Sequence, residues 1–145
     1  MAVQRMDNVG IVVADLPKVI AFFLELGLEL EGEMTVAGPW VDGCVGLDDV
    51  RCDIAMLRTP DGHSKLELAR YQQPLSPGSP VAEPINGFGL KRLMFAVDDL
   101  DDTLARLRPH GCEVVRSVVD YEDVFRLCYV RGPEGLVLGL AQHLS

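Results

Sequence analysis

The sequence predicts an α+β fold of two βαβββ modules, and three observations carry that expectation. One pattern is written twice. The run N-V-G-I-V-V-A-D-L-P-K-V-I-A-F-F-L-E-L-G-L-E from Asn8 lies over R-L-M-F-A-V-D-D-L-D-D-T-L-A-R-L-R-P-H-G-C-E from Arg92. Val13, Asp15, Leu16, Ala21, Gly27 and Glu29 match Val97, Asp99, Leu100, Ala105, Gly111 and Glu113. The copies also end alike, R-T-P-D-G-H-S-K-L-E-L-A from Arg58 against R-G-P-E-G-L-V-L-G-L-A from Arg131. Finally, each copy opens with a short apolar run and a helix cap, and three strand-like runs follow. Such a duplication implies two half-domains that complete one core together, with a functional site near their pseudo-symmetry axis.

The elements follow in chain order. V-G-I-V-V is short, apolar and β-branched, which favours a strand, and Asp15 then stands where a helix N-cap belongs. Pro17 suits the first helical turn, Val19, Ile20, Phe23, Leu24 and Leu26 recur near helical spacing, and Gly27 supplies the stop. Strands are expected near Leu28 to Val36, Cys52 to Arg58 and Ser64 to Tyr71. In the second copy L-M-F-A-V is the strand, Asp98 or Asp99 the cap, and Leu100, Leu104 and Leu107 the apolar stripe, with a stop at Pro109 to Gly111. Strands are then expected near Glu113 to Val119, Val124 to Arg131 and Leu136 to Ala141. P-D-G and P-E-G are the hairpin connections between the last two strands of each module. The proline- and glycine-rich run from Gln72 to Gly89 has neither helical nor strand period and reads as a linker. The expected organisation is one domain over 1–145: module one at about 5–71, the linker at about 72–89, and module two at about 90–143.

Composition narrows the function. A length of 145 residues suits one domain with a sizeable core. Thirteen basic against twenty-two acidic residues give a formal net charge of −9, the wrong sign for nucleic acid or an anionic membrane surface. Cys44, Cys52, Cys112 and Cys128 have no C-x-x-C spacing and read as reduced, mostly buried thiols. No apolar leader or span is visible near the first residues, so a cytoplasmic location is the default expectation.

The V-x-D-L motif after each first strand, the G-L-E that opens the next strand and the P-D-G and P-E-G hairpins resemble the vicinal oxygen chelate superfamily. That superfamily holds glyoxalase I, methylmalonyl-CoA epimerase, extradiol dioxygenases and the bleomycin-type resistance proteins. The resemblance spans essentially the whole chain and implies the glyoxalase/bleomycin resistance/dioxygenase fold, with mixed sheets curved around a cup. It also implies a homodimer. Reaction does not follow from it, because this fold hosts many chemistries.

Strand alternation places Val9, Ile11 and Val13 against the helix, and Asn8, Gly10 and Val12 on the other face. The same parity groups Arg92, Met94 and Ala96, then Lys65, Glu67 and Ala69, then Val137, Gly139 and Ala141. Metal-chelating members of the superfamily place one ligand on each of these four strands, usually His, Glu, His and Glu. The resemblance carries those positions onto Asn8, Glu67, Arg92 and Gly139, and only Glu67 is a usual ligand. Glycine has no side chain, a guanidinium has no lone pair to give, and an asparagine carbonyl is a weak ligand. A divalent metal is therefore not expected, and no other cofactor is indicated. His63 in a hairpin turn, His110 at a helix end and His143 in the tail read as solvated residues.

Arg92 has two readings: a buried ion pair with Glu67 in place of the lost metal, or a planar fork offered to a ligand oxyanion, with Asn8 as a second polar contact. Glu67 is also the candidate general base. Trp40, in the glycine-rich A-G-P-W-V-D-G loop, and Tyr121, between strands, are candidate ligand contacts, and Met94 is a candidate cup wall. The leading expectation is direct binding of a small, partly apolar molecule without metal, an anionic one where Arg92 is offered to a ligand oxyanion. The alternatives are a lyase, epimerase or dioxygenase of the glyoxalase type, metal-free or with a rebuilt metal site, and a non-catalytic structural or partner-binding domain.

Overall fold

The computed structural model describes residues 2–144. The chain packs as two compact units, the first ending at Ser79 and the second beginning at Pro80.

The first unit contains β1 (Val9–Val12), α1 (Leu16–Leu26), β2 (Glu29–Ala37), α2 (Pro39–Val45), β3 (Arg51–Arg58) and β4 (Lys65–Gln73). Its sheet runs β1-β4-β3-β2, with β1 parallel to β4 and the other pairs antiparallel. Helix α1 starts where the sequence places it, because the Asp15 carboxylate accepts a hydrogen bond from the Lys18 amide at 3.1 Å. It stops at Gly27, whose φ of 123° is costly for a residue with a side chain. Val19, Phe22 and Phe23 are buried and face one side of the sheet, where Val13, Ala55, Leu57, Leu66 and Leu68 are buried too. That is the helix-facing side expected from strand parity. At about 25 cal/mol per Å² of apolar surface removed from water, this layer is the main source of the unit's stability.

The second unit contains β5 (Arg92–Val97), α3 (Leu100–Leu107), β6 (Glu113–Val114), β7 (Val119–Tyr121), β8 (Phe125–Arg131) and β9 (Val137–His143). Its sheet runs β5-β9-β8-β6, with β7 also on β8 and β5 parallel to β9. Asp99 is the cap, its carboxylate accepting from the Asp102 amide at 3.0 Å. Leu100, Leu104 and Leu107 of α3 are buried, as are Cys128, Val130, Leu138 and Leu140 on the strands.

Several elements depart from the sequence reading. The segment around Trp40 is the helix α2, not a loop: Pro39 at the first helical turn presets its backbone angle. The Asp42 carboxylate accepts from the Asp49 and Val50 amides, which ties the following turn back to this helix. Buried Val41 anchors α2 on Val36, Val50 and Cys52. The strand expected at Glu113 to Val119 is broken into β6 and β7, because four residues, 115–118, stand opposite two, 128–129, in the register with β8. A bulge of this kind bends the outer strand. Tyr121 accordingly ends β7 instead of lying between strands, and His143 ends β9 instead of lying in a tail, its ring 5.1 Å from Phe125 in an edge-to-face contact. Strand β4 continues through Gln73, two residues into the expected linker.

The linker's later half is seated on the second unit. Arg131 donates to the Glu83 carbonyl, and Lys91 pairs with the Glu83 carboxylate at 2.6 Å. A Cβ at Gly135 would meet the Ala82 Cα and the Val81 oxygen, each at 2.9 Å, so this hairpin glycine permits a close backbone approach. All four cysteines are free thiols, with Cys44 exposed and the others buried. Burial pushes the Cys112 thiol up to about 11, helped by Cys128 and Glu113, so it stays protonated at neutral pH.

Candidate functional site

Each sheet has one face covered by its helix and one that carries the sequence-predicted site residues. On the first sheet Gly10, Glu67, Met56 and Gly32 stand in register across β1, β4, β3 and β2. Cβ atoms at Gly10 and Gly32 would meet nothing within 4 Å, so the half-buried Glu67 and Met56 lie in a trough flanked by two glycines. Val12 and Met34 are exposed on the same face. Asn8 stands just before β1, exposed, in step with Gly10 and Val12. Cys52 and Tyr71 share this face. Burial, then the charges of Asp53 and Glu67, raises the Cys52 thiol. Burial, then Cys52 and Glu67, raises the Tyr71 phenol, so both groups are neutral beside that carboxylate.

The second sheet is built differently at the matching place. Met94, Gly139 and Tyr129 stand in register across β5, β9 and β8. A Cβ at Gly139 would collide with the Met94 sulfur and would lie 3.3 Å from the Tyr129 ring. The missing side chain is thus replaced by a thioether and an aromatic edge that close over the β9 backbone. Arg92 is exposed, and its guanidinium carbon lies 4.8 Å from the centroid of the Tyr129 ring, a cation–π contact. Arg92, Met94 and Tyr129 therefore gather around Gly139. Tyr121 is exposed at the far end of the face, in register with Phe125.

Trp40 is two-thirds exposed on α2. A depression of about 390 Å³ lies beside it, lined by Gly38, Asp42, Asp49, Arg51 and Gln73, but much of its polar chemistry is spent internally. Asp42 holds the Asp49 and Val50 amides, and the Gln73 amide donates to the Asp49 carbonyl at 2.8 Å.

The four positions that would hold a family metal fail as a donor set. A divalent ion needs about three or four protein donors. Glu67 is one. Position 139 has no side chain and no room for one while Met94 stays in place, and Arg92 brings a positive charge. Among the described residues no three His, Cys, Asp or Glu side chains are gathered as a metal would require. Tyr129 escaped the sequence reading. Its alternation in step with Leu127 on β8 was readable, but its place opposite a glycine on β9 follows from the register of the two strands.

Comparison with known proteins agrees with this architecture. The model of the Glyoxalase/Bleomycin resistance protein/Dioxygenase superfamily matches residues 5–140. A glyoxalase family protein from Bacillus cereus is 47% identical, with a TM-score of 0.96 over 100% of this chain and 99% of that one. TnmS3, an antibiotic binding protein from Streptomyces sp. CB03234, shares the fold at 23% identity and a TM-score of 0.61, over 99% and 98% of the two chains. So does FosX, a fosfomycin resistance protein from Listeria monocytogenes solved with Mn(II) and a dihydroxypropylphosphonic acid, at 12% identity and a TM-score of 0.65, over 99% and 91%. No curated protein matches. No helix among the described residues is long and apolar enough to cross a membrane. With the family model matched over nearly its full length, the chain belongs to the Glyoxalase/Bleomycin resistance protein/Dioxygenase superfamily.

Proposed function

We propose that this protein binds a small, partly apolar anion directly, without a metal ion. The observation that carries the reading is the occupation of the Gly139 position by Met94 and Tyr129, with Arg92 beside them. Where a chelating relative would present carboxylate and imidazole to a cation, this chain presents a guanidinium, and the planar fork of arginine suits an oxyanion. Exposed Met94 and Tyr121 supply apolar contact area on the same sheet as Arg92. TnmS3 illustrates that this fold can serve antibiotic binding. FosX, solved with Mn(II), is the contrasting case.

Purification without chelator, elemental analysis and native mass spectrometry test the reading together. The expected result is a copurifying small molecule, lost from Arg92→Ala, and no stoichiometric divalent metal. Zinc, nickel, iron or manganese bound at one per chain and released by Glu67→Ala would overturn it. Whether Glu67 and Arg92 act as a pair is decided by a double-mutant cycle of Arg92→Ala and Glu67→Gln: additive losses in stability exclude the pair.

A homodimer accompanies this reading, supported by fully exposed Phe88 at the end of the linker and Leu90 just after it. Light scattering should give about twice the 15.9 kDa chain mass. The mass of one chain at every concentration from micromolar to millimolar would exclude it.

A further inference from the structure

We infer that the ligand is a flat conjugated anion, an oxyanion joined to an unsaturated ring, and that Arg92 recognises both parts. This rests on the direct-binding reading above and narrows its ligand class. A guanidinium has N–H donors around its edge and π-surface on its two sides. Tyr129 covers one side of Arg92 at 4.8 Å, which limits the side chain's wandering without consuming its donors. Because Arg92 is exposed, the donor edge stays open to an oxyanion and the second side to another flat group.

The surroundings favour a ring as that group. Met94 is half exposed, and its sulfur sits over Gly139 next to Tyr129, where a thioether makes favourable contact with an aromatic edge. Farther along the same face the exposed groups include three flat ones, Tyr121 and the edge-to-face pair of Phe125 and His143, beside the aliphatic Val119. A saturated anion would gain the charge contact alone. A neutral ring would gain the stacking alone. Gly139 is what allows the arrangement, because any side chain there displaces Met94 and crowds Tyr129, the seat of Arg92.

Calorimetry on the full chain tests this with three probes: naphthoate, its fully saturated decalin carboxylate analogue, and neutral naphthalenemethanol. Naphthoate should bind tightest, by about tenfold over each of the others. Arg92→Lys keeps the charge but loses the planar fork, and should bring naphthoate down to the level of the saturated acid. Tyr129→Leu should weaken naphthoate and leave the saturated acid nearly unchanged. Equal binding of naphthoate and the decalin acid overturns the ring requirement and leaves direct anion binding standing. Unchanged naphthoate affinity in both variants overturns the assignment to Arg92. Absence of binding by all three probes overturns the inference, while the copurification experiment decides the broader reading on its own.

Discussion

A carboxylate introduced at position 139 would have to displace Met94 before it could reach any cation, since the methionine sulfur already fills the place of the first side-chain atom. Gly139→Glu is therefore expected to destabilise the protein by about 1–3 kcal/mol, the usual cost of overpacking, as measured by urea unfolding. Adding Met94→Ala should recover part of that loss in a non-additive way, because the two changes share one space. A pair of strictly additive losses would show that the collision is relieved elsewhere. A different residue governs acid sensitivity. The Asp53 carboxylate accepts from the Thr35 hydroxyl at 2.7 Å and from the Gln72 amide at 2.7 and 2.8 Å. These bonds, Thr35 first and then Gln72, with smaller help from the charges of Arg70 and Arg51, hold its pKa below the ordinary value. A depressed folded-state pKa means that the unfolded chain binds the proton more readily. The contribution is thus complete above the unfolded value of about 3.9 and disappears as pH falls through the folded one. Urea midpoints should fall on acidification below about pH 4, and less steeply in Asp53→Asn than in the parent. Parallel declines would remove Asp53 from the account. At this scale the sheet face that Glu67 and Arg92 join was legible from strand parity, because alternation fixes it, whereas their choice as site positions came from the family resemblance. Tyr129 was not singled out, because what marks it is its cross-strand neighbour, and neighbours depend on register.

Helix ends were the most legible elements. Asp15, Gly27 and Asp99 act through bonds to residues a few positions away, so their meaning is local. Helix α2 was hidden because its stability comes from Val41 packing on Val36 and Cys52 and from Asp42 reaching Val50, contacts that the loop-like composition of A-G-P-W-V-D-G conceals. The break between β6 and β7 was hidden for a similar reason, since Glu113 to Val119 keeps strand-like residues across the bulge. The β7–β8 hairpin turn offers a test. Glu122 and Asp123 both hold positive φ, 48° and 54°, between Tyr121 and Val124, whose amide donates to the Tyr121 carbonyl at 2.8 Å. Paired left-handed residues are the mark of a hairpin turn that favours Asn-Gly, and glutamate fits it poorly. Glu122→Asn should therefore stabilise the protein by roughly 0.5–1 kcal/mol, seen as a raised urea midpoint at unchanged slope. A lowered midpoint would mean that the Glu122 side chain has a stabilising role of its own.

At the scale of the whole molecule, the duplication made the two-module plan readable, because both copies repeat the same cap, stripe and hairpin. The chemistry was less readable, since the matched positions carry different groups: an open carboxylate trough on the first sheet, and a guanidinium, thioether and phenol cluster on the second. The junction between the modules has a further consequence for how the gene could be rearranged. The stretch before Pro80 is exposed, whereas Val81 to Glu83 lie against Gly135 and Arg131. A short Gly-Ser insert after Gly78 should cost only about 0.5 kcal/mol, the price of a longer loop. The same insert after Glu83 should cost roughly 0.5–1.5 kcal/mol more, because it pulls the Glu83 carbonyl from its Arg131 partner. Thermal unfolding of the two insertion variants distinguishes these outcomes, and equal losses would rule out a seated junction. New chain ends, or a second coding segment spliced into the middle of this one, are accommodated before Pro80 and resisted immediately after it.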